Sequence, residues 1–407
     1  MERKNHLIME RKNKEKSSGP KVFEGVNVLD FSGVIAGSYC TRMLSDLGAE
    51  VLKIEHPKGE IMRRVAPMRG KASTVFGALN MGKKNIALDL KQKEAVSICK
   101  QLLKKYDVIV ENYSPGVMSR LGLGYDQLRE TNPQLIMCSI SGYGQEGPNS
   151  QKPAFAPIVQ AASGFDLTYL QTQPDLGKPL NMGPPVGDTT ASLQAFGAIG
   201  AALYYRSKTG IGQHIDIAMM DCLIASMHRD FQSALLGDEV DRRYGPIATK
   251  DGFIVVIPLT QVQFTRLVKC IDRAELLEND RFSNERERFE NYNELMEITE
   301  QWSKQLDSKT AIKTLEVAKI PCAEYRTLKE SAGDPQLDFR KFIMKIEDEI
   351  GTYEVTDTPI RFSDTSTANK LFVAQIGEHS ISTLEKDLCM TRSDIQKLIE
   401  KEVVFQA

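Results

Sequence analysis

The chain has little unbalanced charge, no paired cysteine spacing and no membrane-length apolar run, and each shortage removes a class of function. Its 52 Lys and Arg against 54 Asp and Glu leave a net charge of -2. Binding a nucleic-acid backbone needs clustered, unbalanced Lys and Arg, so no nucleic-acid partner is expected. The seven cysteines are scattered and form no C-x-x-C, which indicates neither a disulfide framework nor a zinc site and fits a reducing cytoplasm. No apolar run approaches the roughly 18 to 20 residues of a membrane span. The first 19 residues are charged rather than apolar, so the protein is expected to be neither exported nor membrane-embedded. Residues 1–20 are expected to form a disordered polar tail.

Several catalytic signatures are missing as well. The first turn, Ser32-Gly33-Val34-Ile35-Ala36-Gly37, lacks the G-x-G-x-x-G spacing that lets backbone approach a pyrophosphate, which argues against NAD. Gly77-x-x-x-x-Gly82-Lys83 imitates a phosphate-binding loop until Lys84 stands where a Ser or Thr must ligate magnesium. No H-E-x-x-H, carboxylate cluster or Ser, His and Asp grouping points to a metal or a charge-relay triad.

What is present is an alternation of short β-rich runs with helical ones, in a chain of 407 residues that suggests two domains. Strands are expected at Val26–Phe31, Val51–Ile54, Asn85–Leu88, Asp107–Val110, Leu135–Ser141 and His214–Met219. Helices are expected near Ser38–Leu47, over Gln92–Lys105, after Asp188 and over Asp221–Leu236. Such alternation implies an α/β, Rossmann-like domain with a mostly parallel sheet and ligands at the carboxyl ends of its strands. From about Asp238 to Gln336 the helices become strongly charged, as in Asn284–Leu306, with one apolar strand at Phe253–Ile257. That shift suggests a smaller α+β domain. The helix expected at Thr391–Glu402 has no place that the pattern alone assigns.

Asp188 closes the run Gly183-Pro184-Pro185-Val186-Gly187-Asp188 and opens an apolar stretch, Thr189–Tyr205, dense in Ala and Gly. A carboxylate at the positive end of a helix is favoured as an anion and can serve as a nucleophile. The competing reading is an ordinary helix N-cap. Glu111-Asn112-Tyr113-Ser114-Pro115-Gly116, with Arg120 beyond it, lies just past a strand, where parallel sheets place binding loops. An aromatic flanked by an amide and followed by an Arg suits a base or thioester arm and a phosphate. A plain strand-to-helix turn closed by Pro and Gly is the alternative. Of the histidines, His56 follows a strand end and is the one placed to touch a ligand. His214 and His228 lie in apolar segments that favour structural roles, His379 lies in a polar loop and His6 in the tail.

Taken together these pieces resemble the class III CoA-transferases, the CaiB/BaiF family, from about Gly25 to the C-terminus. The carriers are Val28–Gly37, Leu47–Glu55, Asn85–Lys91, the Glu111–Gly122 block, Ser141-Gly142-Tyr143-Gly144, Gly187-Asp188 and Thr209–Asp216. The resemblance implies a large Rossmann-like domain from residues 21–228 and 337–407, a small α+β domain with linkers over 229–336, and an interlocked homodimer. It implies that Asp188 attacks an acyl-CoA thioester to give a mixed anhydride, then an aspartyl-CoA thioester that passes CoA to a carboxylic acid. That chemistry takes coenzyme A as co-substrate, with no metal and no permanently bound cofactor. By position, Ile35, Ala36, His56, Leu88, Lys91, Asn112, Tyr113 and Arg120 are expected to contact CoA, with Lys91 and Arg120 as phosphate partners. His56 stands where an Arg is common, and a neutral imidazole pairs less well with phosphate. Phe155 and Ala156 stand where the related α-methylacyl-CoA racemases carry a His and an Asp. Neither residue can move protons, so a racemase, the first alternative, loses its partner base. The second alternative is a non-catalytic acyl-CoA-binding protein. The donor and the acceptor acid stay open.

Overall fold

The structure, a computed structural model, describes residues 19–171, 173, 176–179, 183–237, 244–367 and 370–407. All but the last two residues of the expected polar tail, including His6, lie outside that set. The chain separates into two compact units, one reaching Phe231 and resuming at Arg340, the other Gln232–Phe339. Both junctions lie three residues beyond the limits of 228 and 336 that the resemblance implied. Among the described residues no helix is long and apolar enough to cross a membrane.

The first unit is built on six parallel strands, β1 (Asn27–Asp30), β2 (Glu50–Glu55), β3 (Lys84–Leu88), β4 (Val108–Glu111), β5 (Ile136–Ser141) and β6 (His214–Ala218). Their spatial order is β3-β2-β1-β4-β5-β6, and a short antiparallel strand β7 (Val404–Phe405) closes the β3 edge. Alternation along each strand feeds two cores. Val28, Val51, Val108, Val110, Ile136 and Cys138 face one, beneath helices α1 (Ala36–Asp46) and α3 (Val186–Thr209). Leu29, Leu52, Ile54, Ile86, Ile109 and Met137 face the other, beneath α2 (Lys93–Leu102). The place of the chain's end is thereby settled: Leu384, Ile395, Val403 and Val404 pack into this second core. The strand order reverses direction between β1 and β4, so the crevice outside their carboxyl ends is where a ligand fits such a sheet.

The Ala and Gly content of α3 has a packing reason. Ala191, Ala195, Ile199 and Ala202 face the core, and fully buried Ser192 donates its Oγ–H to the Ala36 carbonyl at 2.7 Å. Small side chains let two helix backbones approach closely enough for that bond. Gly210, at φ 72°, ends the helix in the left-handed conformation that glycine adopts at no steric cost.

The second unit is α+β. A three-stranded antiparallel sheet, Ile247–Ala248, Phe253–Val256 and Cys322–Glu324, packs on helices Gln261–Cys270, Tyr292–Ser303 and Ser308–Val317 around Ile254, Phe264, Leu267, Leu295 and Leu315.

Two expected helices are each two helices. Asp221–Leu236 divides into α4 (Met219–Ser226) and α5 (His228–Leu236), because the chain leaves helical geometry at Met227, whose N–H closes a tighter turn onto the Ile224 carbonyl. Asn284–Leu306 divides at Asn291. There the side-chain amide donates to the Glu287 and Arg281 carbonyls, offering the backbone a local alternative to helix.

Candidate functional site

The crevice at the β1–β4 reversal is formed by two loops tied to each other. After β4, the Asn112 side chain accepts the Gly33 N–H at 2.9 Å and donates to the Gly33 carbonyl at 2.8 Å, fixing the turn that leads into α1. Inside that turn Val34 sits at φ 59°, a left-handed conformation that is costly for a β-branched residue. It is held there from below. Glu60 Oε2 accepts the Val34 N–H at 2.7 Å, and Lys53 Nζ reaches both the Ser32 carbonyl at 2.6 Å and Glu60 Oε1 at 3.1 Å. At Gly37 an added Cβ would lie 2.3 Å from Ser32 Cβ, so the turn also needs glycine for close approach.

A buried charge cluster lies under the turn. Asp30 accepts from the Ser32 N–H at 2.9 Å, from Thr41 Oγ1 at 2.7 Å and from Lys83 Nζ at 3.0 Å, with no exposed surface of its own. Burial alone would raise its pKa, but Lys83 and Lys53, with the Ser32 and Thr41 hydroxyls, outweigh burial and hold the carboxyl at about 2. Burial pushes Lys83 down to about 8 despite Asp30 beside it. The Lys83 ammonium is fully engaged with Asp30, the Ser38 carbonyl and Asn80 Oδ1, so the phosphate-loop imitation ends in a structural lysine.

Asp188 is the third residue of α3, with Pro185 in the cap position, so the N-cap alternative is not what the fold uses. Ser192 Oγ bridges the Asp188 and Ala36 carbonyls, at 2.7 Å each. The start of α1 carries no side-chain cap, and the Ala36 N–H faces the Asp188 carboxylate and favours its ionised form. Two helix N-termini therefore converge on one carboxyl group. The helix ends are not the larger influence on this carboxyl. Burial pushes Asp188 up to about 6, and the Ala36 N–H only partly offsets that, because a half-buried carboxylate loses more to missing water than one amide returns. It is still predominantly an anion at pH 7.

The carboxyl opens into a cavity of about 120 Å³ that brings Asp188 together with Ala36, Asn112, Tyr113, Ser114, Ser141 and Lys152. Phe155, 63 % exposed, lines it too, while Ala156 is buried; neither offers a proton. Lys91 and Arg120 meet elsewhere, in an open groove of about 480 Å³ that also carries Lys93 and Lys100. Tyr113 packs its ring against the second core, and burial pushes its phenol well up. Ile35 is half-buried at the start of α1 and does not line the cavity. His56 is exposed, its Nδ1 accepting the Lys58 N–H at 3.1 Å, and lines neither the cavity nor the groove. The Leu88 side chain, 1 % exposed, belongs to the core and leaves only backbone to meet a ligand. His214 bonds Ser139 Oγ at 2.9 Å and stacks on Tyr125, a structural role.

No motif in the sequence assigns a role to Glu60, Lys53 or Ser192. One signal existed: a lysine inside the apolar strand Glu50–Glu55 must find a buried counter-charge. Glu60→Gln keeps an acceptor for Val34 but removes the charge that Lys53 faces. Its expected effect is a turnover about tenfold lower with the acyl-CoA KM little changed, read from steady-state kinetics. A rise in KM at unchanged turnover would contradict the assignment of Glu60 to the turn.

Residues 23–380 match CoA-transferase family III. Succinyl-CoA:glutarate CoA-transferase of Homo sapiens is 34% identical over 400 residues, spanning 95% of this chain and 90% of the relative. Succinyl-CoA--D-citramalate CoA-transferase of Chloroflexus aurantiacus is 30% identical over 95% of this chain and 98% of its own length. Among solved structures, a CaiB/BaiF family protein from Brucella suis superposes with a TM-score of 0.80 at 28% identity, covering 91% of this chain and all of that one.

Proposed function

We propose, from the premise that this chain belongs to CoA-transferase family III, that Asp188 is its nucleophile and that the enzyme moves CoA between an acyl-CoA and a short carboxylic acid. The observation that carries the reading is a mostly ionised carboxyl at the mouth of a cavity, with a backbone N–H from a second helix already aimed at it. Asp188 attacks the thioester carbonyl. The carbon–sulfur bond breaks, leaving a mixed anhydride and CoA thiolate. The thiolate then attacks the aspartyl carbonyl and expels the donor acid as its carboxylate. The acceptor carboxylate attacks the resulting aspartyl-CoA thioester and releases CoA thiolate once more. Attack of that thiolate on the acceptor's acyl carbon forms the new acyl-CoA and frees Asp188. Every step exchanges one nucleophile for one leaving group, so no proton needs to move. The Ala36 N–H, at an uncapped helix start, can stabilise the oxyanion formed in each attack.

Lys91 and Arg120, with Lys93 and Lys100 beside them, are proposed to hold the CoA phosphates. Lys91→Ala together with Arg120→Ala is expected to raise the acyl-CoA KM about tenfold or more, with a weaker dependence of KM on salt and turnover nearly kept. An unchanged KM would remove the groove from the coenzyme's path. A second copy of the chain is proposed to cover α3, whose outer face leaves Leu193 and Tyr204 exposed, at 50% and 67%. The interlocked homodimer is thus part of the reading, as is a cytoplasmic setting for seven free cysteines.

The decisive experiment traps the intermediate. Incubation with succinyl-CoA and hydroxylamine should convert Asp188, and no other carboxylate, to its hydroxamate, seen as a mass shift on its peptide. An unmodified Asp188 in an enzyme that turns over would remove it from the chemistry. The racemase alternative finds no support in Phe155 and Ala156, which supply no base.

A further inference from the structure

Among the described residues lining the Asp188 cavity, two carry charge: Asp188 itself and Lys152. Lys152 leaves a tightly wound turn in which the Ser150 N–H and Oγ–H both donate to the Gly147 carbonyl, at 3.3 and 3.0 Å, and the Lys152 N–H donates to the Asn149 carbonyl at 2.9 Å. Ser150 is 9% exposed, so the base of that turn is packed while the lysine side chain stays exposed. The basic side chains of the cluster under the Val34 turn are engaged: Lys53 with Glu60, Lys83 with Asp30 and Arg63 with Glu55. Among the described residues Lys152 has no carboxylate partner, so the ammonium of a residue lining the nucleophile's cavity is available to a ligand.

The chemistry states what such a ligand needs. In the transfer reading, one carboxylate of the substrate is consumed at Asp188. A monocarboxylic acid then carries no further charge, and an ammonium nearby would gain nothing from it. A dicarboxylic acid, or its half-thioester, brings a second carboxylate to the cleft, where the Lys152 ammonium can pair with it. The cavity beside Asp188 is small, about 120 Å³, which favours a chain of a few carbons between the two carboxyl groups.

We propose that Lys152 selects short dicarboxylic acids by pairing with the carboxylate remote from the reacting one. The inference rests on the transfer reading above, and its test separates the two. The full chain and its Lys152→Met and Lys152→Arg variants are assayed with glutarate and pentanoate as acceptors, and with succinyl-CoA and butyryl-CoA as donors. Within each pair the carbon count is the same and only the second carboxylate differs.

Lys152→Met should lower kcat/KM for glutarate and succinyl-CoA by roughly fivefold, the upper range for an ion pair on a solvent-exposed side chain. Values for pentanoate and butyryl-CoA should be nearly unchanged, since they lose no partner, and Lys152→Arg should restore most of the diacid activity. An unchanged diacid-to-monoacid ratio overturns the proposal. So does an equal loss with all four substrates, which would put Lys152 on coenzyme A or on the reacting carbonyl. A wild-type enzyme that transfers CoA to neither acid would instead overturn the transfer reading, and the proposal with it.

Discussion

Asp188→Asn is expected to lower CoA transfer by about ten-thousandfold or more, because an amide cannot accept an acyl group and no second carboxylate lines the cavity among the described residues. The same change should make the protein more stable, and the pH dependence of that gain carries the sign. Burial lifts the Asp188 carboxyl from 3.8 to about 6 in the fold. A carboxyl with a raised folded pKa contributes stability that is present below the unfolded value, is lost as pH rises towards 6, and stays lost above it. The asparagine variant should therefore exceed the wild type by about 2 kcal/mol or less at pH 8, a figure reduced for the solvent reaching a half-buried group. That advantage should shrink at pH 5. Urea titrations at the two pH values measure it. A variant equally stable at both, or one keeping a tenth of the activity, would contradict the electrostatic description of the site. In the wild type, kcat/KM should fall on the acid side of about pH 6 as Asp188 takes up a proton.

Asp30→Ala should be the most destabilising single change near the site, at about 3 to 5 kcal/mol. Asp30 and Lys83 are 0% and 1% exposed, and Lys53 is 2% exposed. Removing the one carboxylate leaves two ammonium groups in the interior, faced only by Glu60 and by Glu55, which is already paired with Arg63. Lys83→Met in the Asp30→Ala background should recover part of the loss, since it removes a charge that no longer has its partner. The double variant is the informative one: if it is less stable than Asp30→Ala alone, the cluster is not organised as described. The pH window is on the acid side. Asp30 is held at about 2, below the ordinary 3.8, so its contribution is complete above about pH 4 and fades as pH falls towards 2.

Much of this was legible in the residues, for identifiable reasons. The strands Asp107–Val110 and Leu135–Ser141 were readable because both faces of a parallel strand are buried, giving short continuous apolar runs. Asp188 and the Glu111–Gly116 loop stood out because special turn chemistry marks where strands hand over to helices. The divisions at Met227 and Asn291 were not readable. Helical periodicity persists across a single residue that leaves the helix, and the carbonyl that the Asn291 amide captures is a property of the folded backbone. Nor was the separation of the expected CoA contacts into a cavity with Asn112 and Tyr113 and a groove with Lys91 and Arg120, because linear order carries no information about which loops face one another.

The local pattern by itself determined the α/β class, the parallel sheet and a carboxylate at the start of an Ala-rich helix, since periodicity and turn residues act within a few positions along the chain. The tertiary structure decided the rest. It set the strand reversal that makes the crevice, joined Asp30, Lys53, Glu60 and Lys83 under the turn, and brought the Ala36 N–H to Asp188. It also raised the pKa of that carboxyl, because desolvation depends on everything packed around a group and not on its neighbours in sequence.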